Sequence, residues 1–137
     1  ADPRAVAGSL ASWNLGSLAE RRFRRLSLGN QQRVGLAGAL QHHPRLIVLD
    51  APSNALDPAG VITLRDLLRE RARHGAAVLV SSHHLDEVAR IADRILVMNS
   101  GSLIGELDPH GSELERGFFE TVRRDDAARD ADRGEGS

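Results

Sequence analysis

Short apolar runs alternate with amphipathic stretches in the middle of the chain and predict strands alternating with helices. Leu46 to Leu49 and Ala76 to Ser82 are runs of the kind that form strands buried on both faces of a parallel sheet. The stretch between them, from about Ala59 to Arg73, has apolar residues at helical spacing and predicts a helix. A helix between two such strands predicts a βαβ unit, and hence an α/β fold with a parallel sheet.

Two helices are predicted before the first of these strands. One covers about Leu15 to Arg25 and ends in the arginine-rich cluster Arg21 to Arg25, which either is a solvated helix end or contacts an anionic surface. The other begins after Ser27, a residue type that caps helices, and continues to about Gln41.

The C-terminal part predicts a hairpin and a helix. Arg94 to Met98 is a third strand, and Leu103 to Leu107 returns as an edge strand after a turn rich in Asn, Ser and Gly. Glu113 to Val122 fits a short amphipathic helix. From Arg123 the chain contains little besides Arg, Asp, Ala and Gly, which predicts a disordered tail.

Composition excludes several kinds of site. The 137 residues suffice for one modest domain or a part of a larger one, and the net charge of −1 gives no electrostatic reason to expect nucleic-acid binding. No cysteine is present, and no apolar run reaches the roughly 18 residues that a membrane-spanning helix needs. All 18 basic residues are Arg, so the 137 residues contain no Gly-x-x-x-x-Gly-Lys-Ser/Thr phosphate-binding loop.

Asp50 is the first candidate functional residue, because it directly follows a predicted buried strand. Ligands of open α/β sheets bind at the carboxyl ends of the strands, so a carboxylate there is well placed to act on a ligand. Asp before Ala51-Pro52 is also ordinary turn chemistry, and this alternative stays open.

The start of the helix after Ser27 is the second candidate. The free N–H groups of a helix N-terminus bind anions, and Gly29 would let the backbone approach a ligand closely. An ordinary Ser-capped helix is the alternative.

Arg45 to Pro58 resembles the Walker B strand and D-loop of ATP-binding-cassette (ABC) ATPases, which read as an apolar run, Asp, Glu, Pro and later a Leu-Asp pair. Asp50, Pro52 and Asp57 occupy positions of that pattern. Ala51 departs from it, because the family carries there the glutamate that polarises the attacking water.

Leu26 to Arg33 is similar to the ABC signature, usually Leu-Ser-Gly-Gly-Gln-x-Gln-Arg, with Leu28 in place of the first Gly and Asn30 in place of the first Gln. Ser81 to Glu87 resembles the family's H-loop, in which His83 takes the place of the family histidine because it directly follows the serine pair. His84 then falls at a position that is usually apolar.

The resemblance implies roles for individual residues. In the family, two cassettes face each other, and ATP lies between the Walker motifs of one and the signature of the other. Ser27 and Gly29 would therefore contact the γ-phosphate of a partner's ATP, with the other signature residues Leu28, Asn30 and Gln31 around them.

Three further roles follow from the other motifs. Asp50 would hold Mg²⁺ through water, Asp57 would link the two ATP sites, and His83 would contact the γ-phosphate in the chain's own site. Without the P-loop Lys, and with Ala51, this chain alone is expected not to hydrolyse ATP.

The resemblance also implies a division of the chain. Residues 1–43 would be a partial helical subdomain with the signature, residues 44–122 an incomplete parallel-sheet core of the P-loop NTPase kind, and 123–137 the tail. The chain looks like the second half of a cassette, most similar to cassettes of drug or antibiotic exporters.

The implied function is an ATP-binding subunit, or a fragment of one, that couples ATP binding and hydrolysis to transmembrane export. Its partners would be a second cassette and transmembrane subunits, and its place the cytoplasm, at the inner face of the cell membrane when assembled. The alternative is a non-catalytic interaction module whose bare sheet edge invites association. A DNA-repair ABC ATPase is disfavoured by the near-neutral charge.

Overall fold

Polar caps define the starts of two helices in the N-terminal part of the chain. The computed structural model describes residues 3–134, with side chains described from 6 to 132. Ser27 Oγ accepts from the N–H of Asn30, and the Asp57 carboxylate accepts from the N–H of Gly60. Each cap satisfies a backbone donor that has no partner within its helix, which explains why the helices begin where the sequence predicts.

The described chain divides after His83 into two compact units. The elements of the first unit are α1 (Pro3–Ser12), α2 (Leu28–Leu40), β1 (Leu46–Asp50), α3 (Pro58–Arg73) and β2 (Ala77–Ser81).

The predicted helix from Leu15 to Arg25 is wrong. This stretch contains two single-turn 3-10 helices, Gly16–Leu18 and Phe23–Arg25, joined by irregular backbone. Residues 21–25 are all exposed, so no buried apolar face offsets the repulsion among four arginines that a continuous helix would align.

The predicted βαβ unit is confirmed. β1 and β2 pair in parallel, from Leu46 opposite Ala77 to Asp50 opposite Ser81, and α3 lies between them in sequence and contacts β2. α3 ends at His74, followed by Gly75 with a φ of 88°, a left-handed conformation that glycine adopts readily.

One side of this small sheet joins the core of the first unit. α1 packs against α2, and Ser9 Oγ donates to the carbonyl of Ala37 at 2.9 Å. The buried apolar side chains of this unit come from the helices, from β1 and from the segment after α1: Trp13, Leu15, Leu36, Ala37, Leu40, Ile47, Leu64 and Leu68.

The other side of the sheet is exposed, which corrects the prediction that β1 and β2 are buried on both faces. Side chains alternate along a strand, so six residues share this side, called the open face below: Leu46, Val48, Asp50, Ala77, Leu79 and Ser81. All six are exposed, and Leu46, Val48 and Leu79 are 64%, 61% and 59% exposed. Burial on both faces needs a layer on each side, and α3 supplies only one among the residues described.

The second unit contains α4 (Leu85–Ala89), β3 (Ile95–Asn99), β4 (Ser102–Leu107) and α5 (Leu114–Gly134). β3 and β4 form the predicted antiparallel hairpin, whose turn places Ser100 and Gly101 at positive φ. α5 packs on both strands and approaches β4 closely, since a Cβ on Gly105 would lie 2.8 Å from Cγ2 of Thr121.

α5 is longer than predicted, and the expected disordered tail is wrong for residues 123–134, while 135–137 lie outside the described residues. The helix continues because its second half is bonded to the hairpin: Asn99 donates to the carboxylates of Asp125 at 2.9 Å and Asp126 at 2.8 Å. Arg129 donates to Asp125 at 2.7 Å, an i,i+4 ion pair. Despite the 21 residues of α5, no helix within 3–134 combines the length and apolarity needed to cross a membrane.

Two leucine truncations test which sheet face carries the core. Leu68→Ala, at a side chain that is 2% exposed, is expected to lower the free energy of unfolding by about 2–5 kcal/mol. Leu79→Ala, on the open face, is expected to cost less than about 1 kcal/mol. Urea denaturation of the two variants measures both values, and equal losses would contradict the assignment of the open face.

Candidate functional site

The carboxyl ends of β1 and β2 bring Asp50 and Ser81 together. The two residues are opposite each other in the register, and Ser81 Oγ donates a hydrogen bond to Oδ1 of Asp50. The N–H of Ala51 donates to the carbonyl and to Oγ of Ser81, both at 3.1 Å. Asp50 is exposed at this edge of the sheet.

The loop after β1, residues 51–56, turns sharply at its first residue. Ala51 has a φ of 42°, in the left-handed region that is uncommon for residues other than glycine. Two backbone hydrogen bonds then close the loop, from Asn54 to the carbonyl of Ala51 and from Leu56 to the carbonyl of Ser53. The loop is followed by Asp57, the cap of α3, so a short hydrogen-bonded turn connects Asp50 to Asp57.

The start of α2 is exposed and offers backbone donors. Ser27 Oγ is 3.3 Å from the N–H of Asn30, and the Ser27 carbonyl accepts from Gln31 at 2.9 Å. The N–H groups of Leu28 and Gly29, the first two helical residues, have no acceptor within the helix. A helix start of this kind attracts an anion through its free donors and its dipole.

Contacts with the loop 51–56 fix the position of α2. A Cβ on Gly29 would lie 2.9 Å from the carbonyl oxygen of Ala55, so only glycine fits this approach. Gln32 Nε2 donates to the carbonyl of Pro52, itself buried, at 3.1 Å. The close approach expected of Gly29 is therefore made to the loop of the same chain.

Arg33 and Asp57 form the third contact between α2 and the segment that follows β1. The Arg33 guanidinium donates to Oδ1 of Asp57, which also accepts from the N–H of Gly60 at 3.0 Å. The hydrogen bond from Arg33, and then the one from Gly60, hold the pKa of the Asp57 carboxyl below its ordinary value. Asp57 is thus stabilised as an anion that serves both as helix cap and as ion-pair partner.

Most candidate residues lie in this region of the first unit. Asp50 and Asp57 bracket the loop 51–56, and the start of α2, with Ser27, Leu28, Gly29 and Asn30, lies against that loop. Gln31 differs in its use, because its side chain donates back to the carbonyls of Leu26 at 3.1 Å and Phe23 at 3.4 Å. His83 lies two residues beyond the end of β2 and is exposed.

Two residues with clear roles in this geometry were not assigned any by sequence reasoning. Ser81 matters because the strand register puts it opposite Asp50, and register is not readable from one strand alone. Arg33 matters through its ion pair with Asp57, 24 residues away. A Cβ on Gly60 would lie 3.3 Å from Arg33 Nε, so the glycine leaves room for the pair, which no single stretch of sequence reveals.

Asp50 would supply only one of the several contacts that a magnesium ion needs. No group of three His, Asp or Glu side chains in residues 3–134 is arranged to hold a metal ion. Mg²⁺ usually keeps several waters and binds one or two carboxylates together with substrate phosphates. Asp50, exposed and oriented by Ser81, suits a single water-mediated contact of that kind.

Comparison with known proteins places this geometry in a family context. The lantibiotic transport ATP-binding protein SrtF of Streptococcus pyogenes is 39% identical over 99 residues, 72% of this chain and 43% of that protein. The aliphatic sulfonates import ATP-binding protein SsuB 2 of Agrobacterium fabrum is 43% identical over 101 residues, 73% of this chain and 39% of that protein. No family model matches the chain.

The fold agrees with the same group of proteins. The dimeric post-hydrolysis structure of the ATP-binding cassette MJ0796, bound to ADP and Pi, superposes with a TM-score of 0.72 at 28% identity. The superposition covers 79% of this chain and 47% of that chain. The chain is homologous to ABC transporter ATP-binding proteins and has their α/β fold over the part it covers, which confirms the predicted fold class. It spans well under half the length of the two curated relatives.

A glycine pair in α2 tests the contact with the loop 51–56. Gly29→Ala is expected to lower the free energy of unfolding by about 1–3 kcal/mol, because the new methyl group would collide with the Ala55 carbonyl. Gly35→Ala, where nothing lies within 4 Å, is expected to stabilise the chain by up to about 1 kcal/mol. Thermal or urea unfolding provides both values, and stabilisation by Gly29→Ala would contradict the contact.

The lowered pKa of Asp57 predicts a pH dependence. A carboxyl group with a lowered pKa in the folded state stabilises the fold above its unfolded pKa of about 3.9, and this contribution disappears as pH falls through the folded pKa. Asp57→Asn retains a capping side chain but loses the charge. Its urea midpoint should be lower than that of the wild type at pH 7, and the difference should shrink below about pH 3.9. A difference that stays constant down to pH 2.5 would refute the role of the charge.

Proposed function

We propose that this chain is the signature-bearing part of an ATP-binding subunit of an ABC transporter, which couples ATP binding and hydrolysis to transmembrane export. The proposal depends mainly on one observation: the exposed start of α2 is held by three contacts on the segment that follows Asp50. These contacts join a helix start with free backbone donors to the segment that follows a strand-end carboxylate.

The start of α2 would contact the γ-phosphate of ATP held by a second cassette. The free N–H groups of Leu28 and Gly29 and the Ser27 hydroxyl supply donors, and the helix dipole adds a partial positive charge. Leu28 is 72% exposed and Ser27 is also exposed, so both side chains are largely open to solvent. These groups would stabilise negative charge at the phosphate, the main catalytic demand in phosphoryl transfer.

Asp50 and His83 would serve the chain's own nucleotide site. Asp50, oriented by Ser81, would hold a water of the magnesium ion that accompanies ATP, and the ion would supply neutralisation of the phosphate charge. His83, just beyond β2, would hydrogen-bond the γ-phosphate. Asp50 is the last residue of β1 and His83 lies two residues beyond β2, at the edge where α/β sheets bind ligands.

Hydrolysis by the chain alone is not part of the proposal. Ala51 has no carboxylate to polarise water, and no lysine exists among the 137 residues to bind the β- and γ-phosphates. The phosphate-gripping part would come from a region outside these residues or from another chain.

The partners proposed are a second cassette and the transmembrane subunits of a transporter, with the chain at the cytoplasmic face of the membrane. Export is proposed from the signature variant with Leu28. The relative SrtF is named for lantibiotic transport without a direction, and SsuB 2 is named for import. An anionic ligand bound at the α2 start is common to both directions.

Calorimetric titration of Mg-ATP tests the proposal with three samples: the chain, an intact cassette whose catalytic glutamate is replaced by glutamine, and their mixture. We expect no binding by the chain alone and roughly tenfold tighter binding by the mixture than by the intact cassette. Ser27→Arg should abolish that gain because it blocks the α2 start, whereas Ser112→Arg, at an exposed turn of the second unit, should not.

Two results would refute the proposed function. One is a mixture that binds Mg-ATP no more tightly than the intact cassette. The other is Mg-ATP hydrolysis by the chain alone above the rate of its His83→Ala variant, since turnover would require a phosphate-binding group that the proposal says is absent.

A further inference from the structure

Arg33, Asp57 and Gly60 form a compact contact, called the Arg33 clasp below. The Asp57 carboxylate accepts from both the Arg33 guanidinium and the Gly60 N–H, and the absence of a side chain at Gly60 leaves the space in which Arg33 lies. The Arg33 side chain is 17% exposed, whereas that of Asp57 is 58% exposed. The arginine is therefore held within the fold, and the aspartate presents the charge to it from the surface.

We propose that Arg33 is a positioning residue that acts through Asp57 to hold the phosphate-binding start of α2 on the segment that follows Asp50. The inference rests on the proposed function and adds a role to it. The Asp57 carboxylate, for which the family resemblance implies a link between two ATP sites, is engaged inside its own chain by Arg33 and Gly60.

Helix geometry explains why Arg33 has this influence. Gly29 and Arg33 are four residues apart, so they lie on the same face of α2, one turn above the other. Gly29 contacts the loop at Ala55, and Arg33 contacts Asp57, the residue directly after the loop. The clasp therefore extends the same interface by one helical turn away from the Ser27 cap. Without the clasp, α2 would be held on this segment by the close approach of Gly29 and the single hydrogen bond from Gln32.

The side-chain chemistry distinguishes two substitutions. Lysine keeps the positive charge at position 33 and can still reach a carboxylate, but it lacks the planar guanidinium. Glutamine has a similar length and no charge. If the ion pair with Asp57 is what matters, Arg33→Lys should retain much of the effect and Arg33→Gln should lose it.

Hydrogen exchange tests the clasp on the full chain without any partner. The amides of Asn30 to Gln32 should exchange faster in Arg33→Gln than in the wild type, while the amides of β1 and β2 should be unchanged. Arg24→Gln, at an exposed arginine of the same unit, is the matched control and should leave both regions unchanged. Faster exchange in every element would indicate general destabilisation and would overturn the positioning role.

The functional arm uses the mixture with the intact glutamine-substituted cassette. Arg33→Gln should remove most of the roughly tenfold gain in Mg-ATP affinity, because the ion pair with Asp57 no longer holds the start of α2 in place. Arg33→Lys should recover most of the gain, and Arg24→Gln should behave as the wild type.

The two arms separate the failure of each proposal. A wild-type mixture without any gain, together with faster exchange at Asn30 to Gln32 in Arg33→Gln, would reject the proposed function while the clasp persists as a structural contact. A wild-type gain that Arg33→Gln leaves intact would reject the positioning role alone.

Discussion

The contact between the first turns of α2 and the segment that follows β1 is the constraint on which the site depends. It combines a steric requirement at Gly29, a hydrogen bond from Gln32 to a buried proline carbonyl, and the ion pair of Arg33 with Asp57. These three differ in their sensitivity to conditions: salt and acid weaken only the ion pair, whereas the glycine contact is insensitive to both. Two of the contacts are therefore uncharged, and only the ion pair of Arg33 with Asp57 depends on salt and pH.

The strand register brings two polar side chains together at one edge of the sheet. Parallel pairing places Asp50 opposite Ser81, so a hydroxyl from one strand orients the carboxylate of the other before any ligand arrives. Orientation in advance reduces the entropy lost on binding. The short loop then carries the same chain directly to Asp57 and α3, and α2 lies against it.

The sequence predicted the elements whose signals are local. The capping residue Ser27, and apolar runs with a helical stretch between them, place α2, the βαβ unit and the hairpin within a residue or two. It failed where long-range contacts decide: α5 continues past Val122 because Asn99 on the hairpin binds Asp125 and Asp126. The pairings of Ser81 with Asp50 and of Arg33 with Asp57 join residues more than 20 positions apart, and no single-segment pattern encodes them.

The open face of β1 and β2 has an electrostatic consequence. Asp50 and Ser81 lie on the same face as the exposed Leu46, Val48 and Leu79, so any protein layer that covers these apolar residues also displaces water from beside the carboxylate. The effective dielectric constant there would fall from about 80 towards about 20, and the attraction between Asp50 and a cation would rise roughly fourfold. The attraction between Asp50 and a cation would then depend on how completely the open face is covered. Covering this face and binding a cation would therefore reinforce each other.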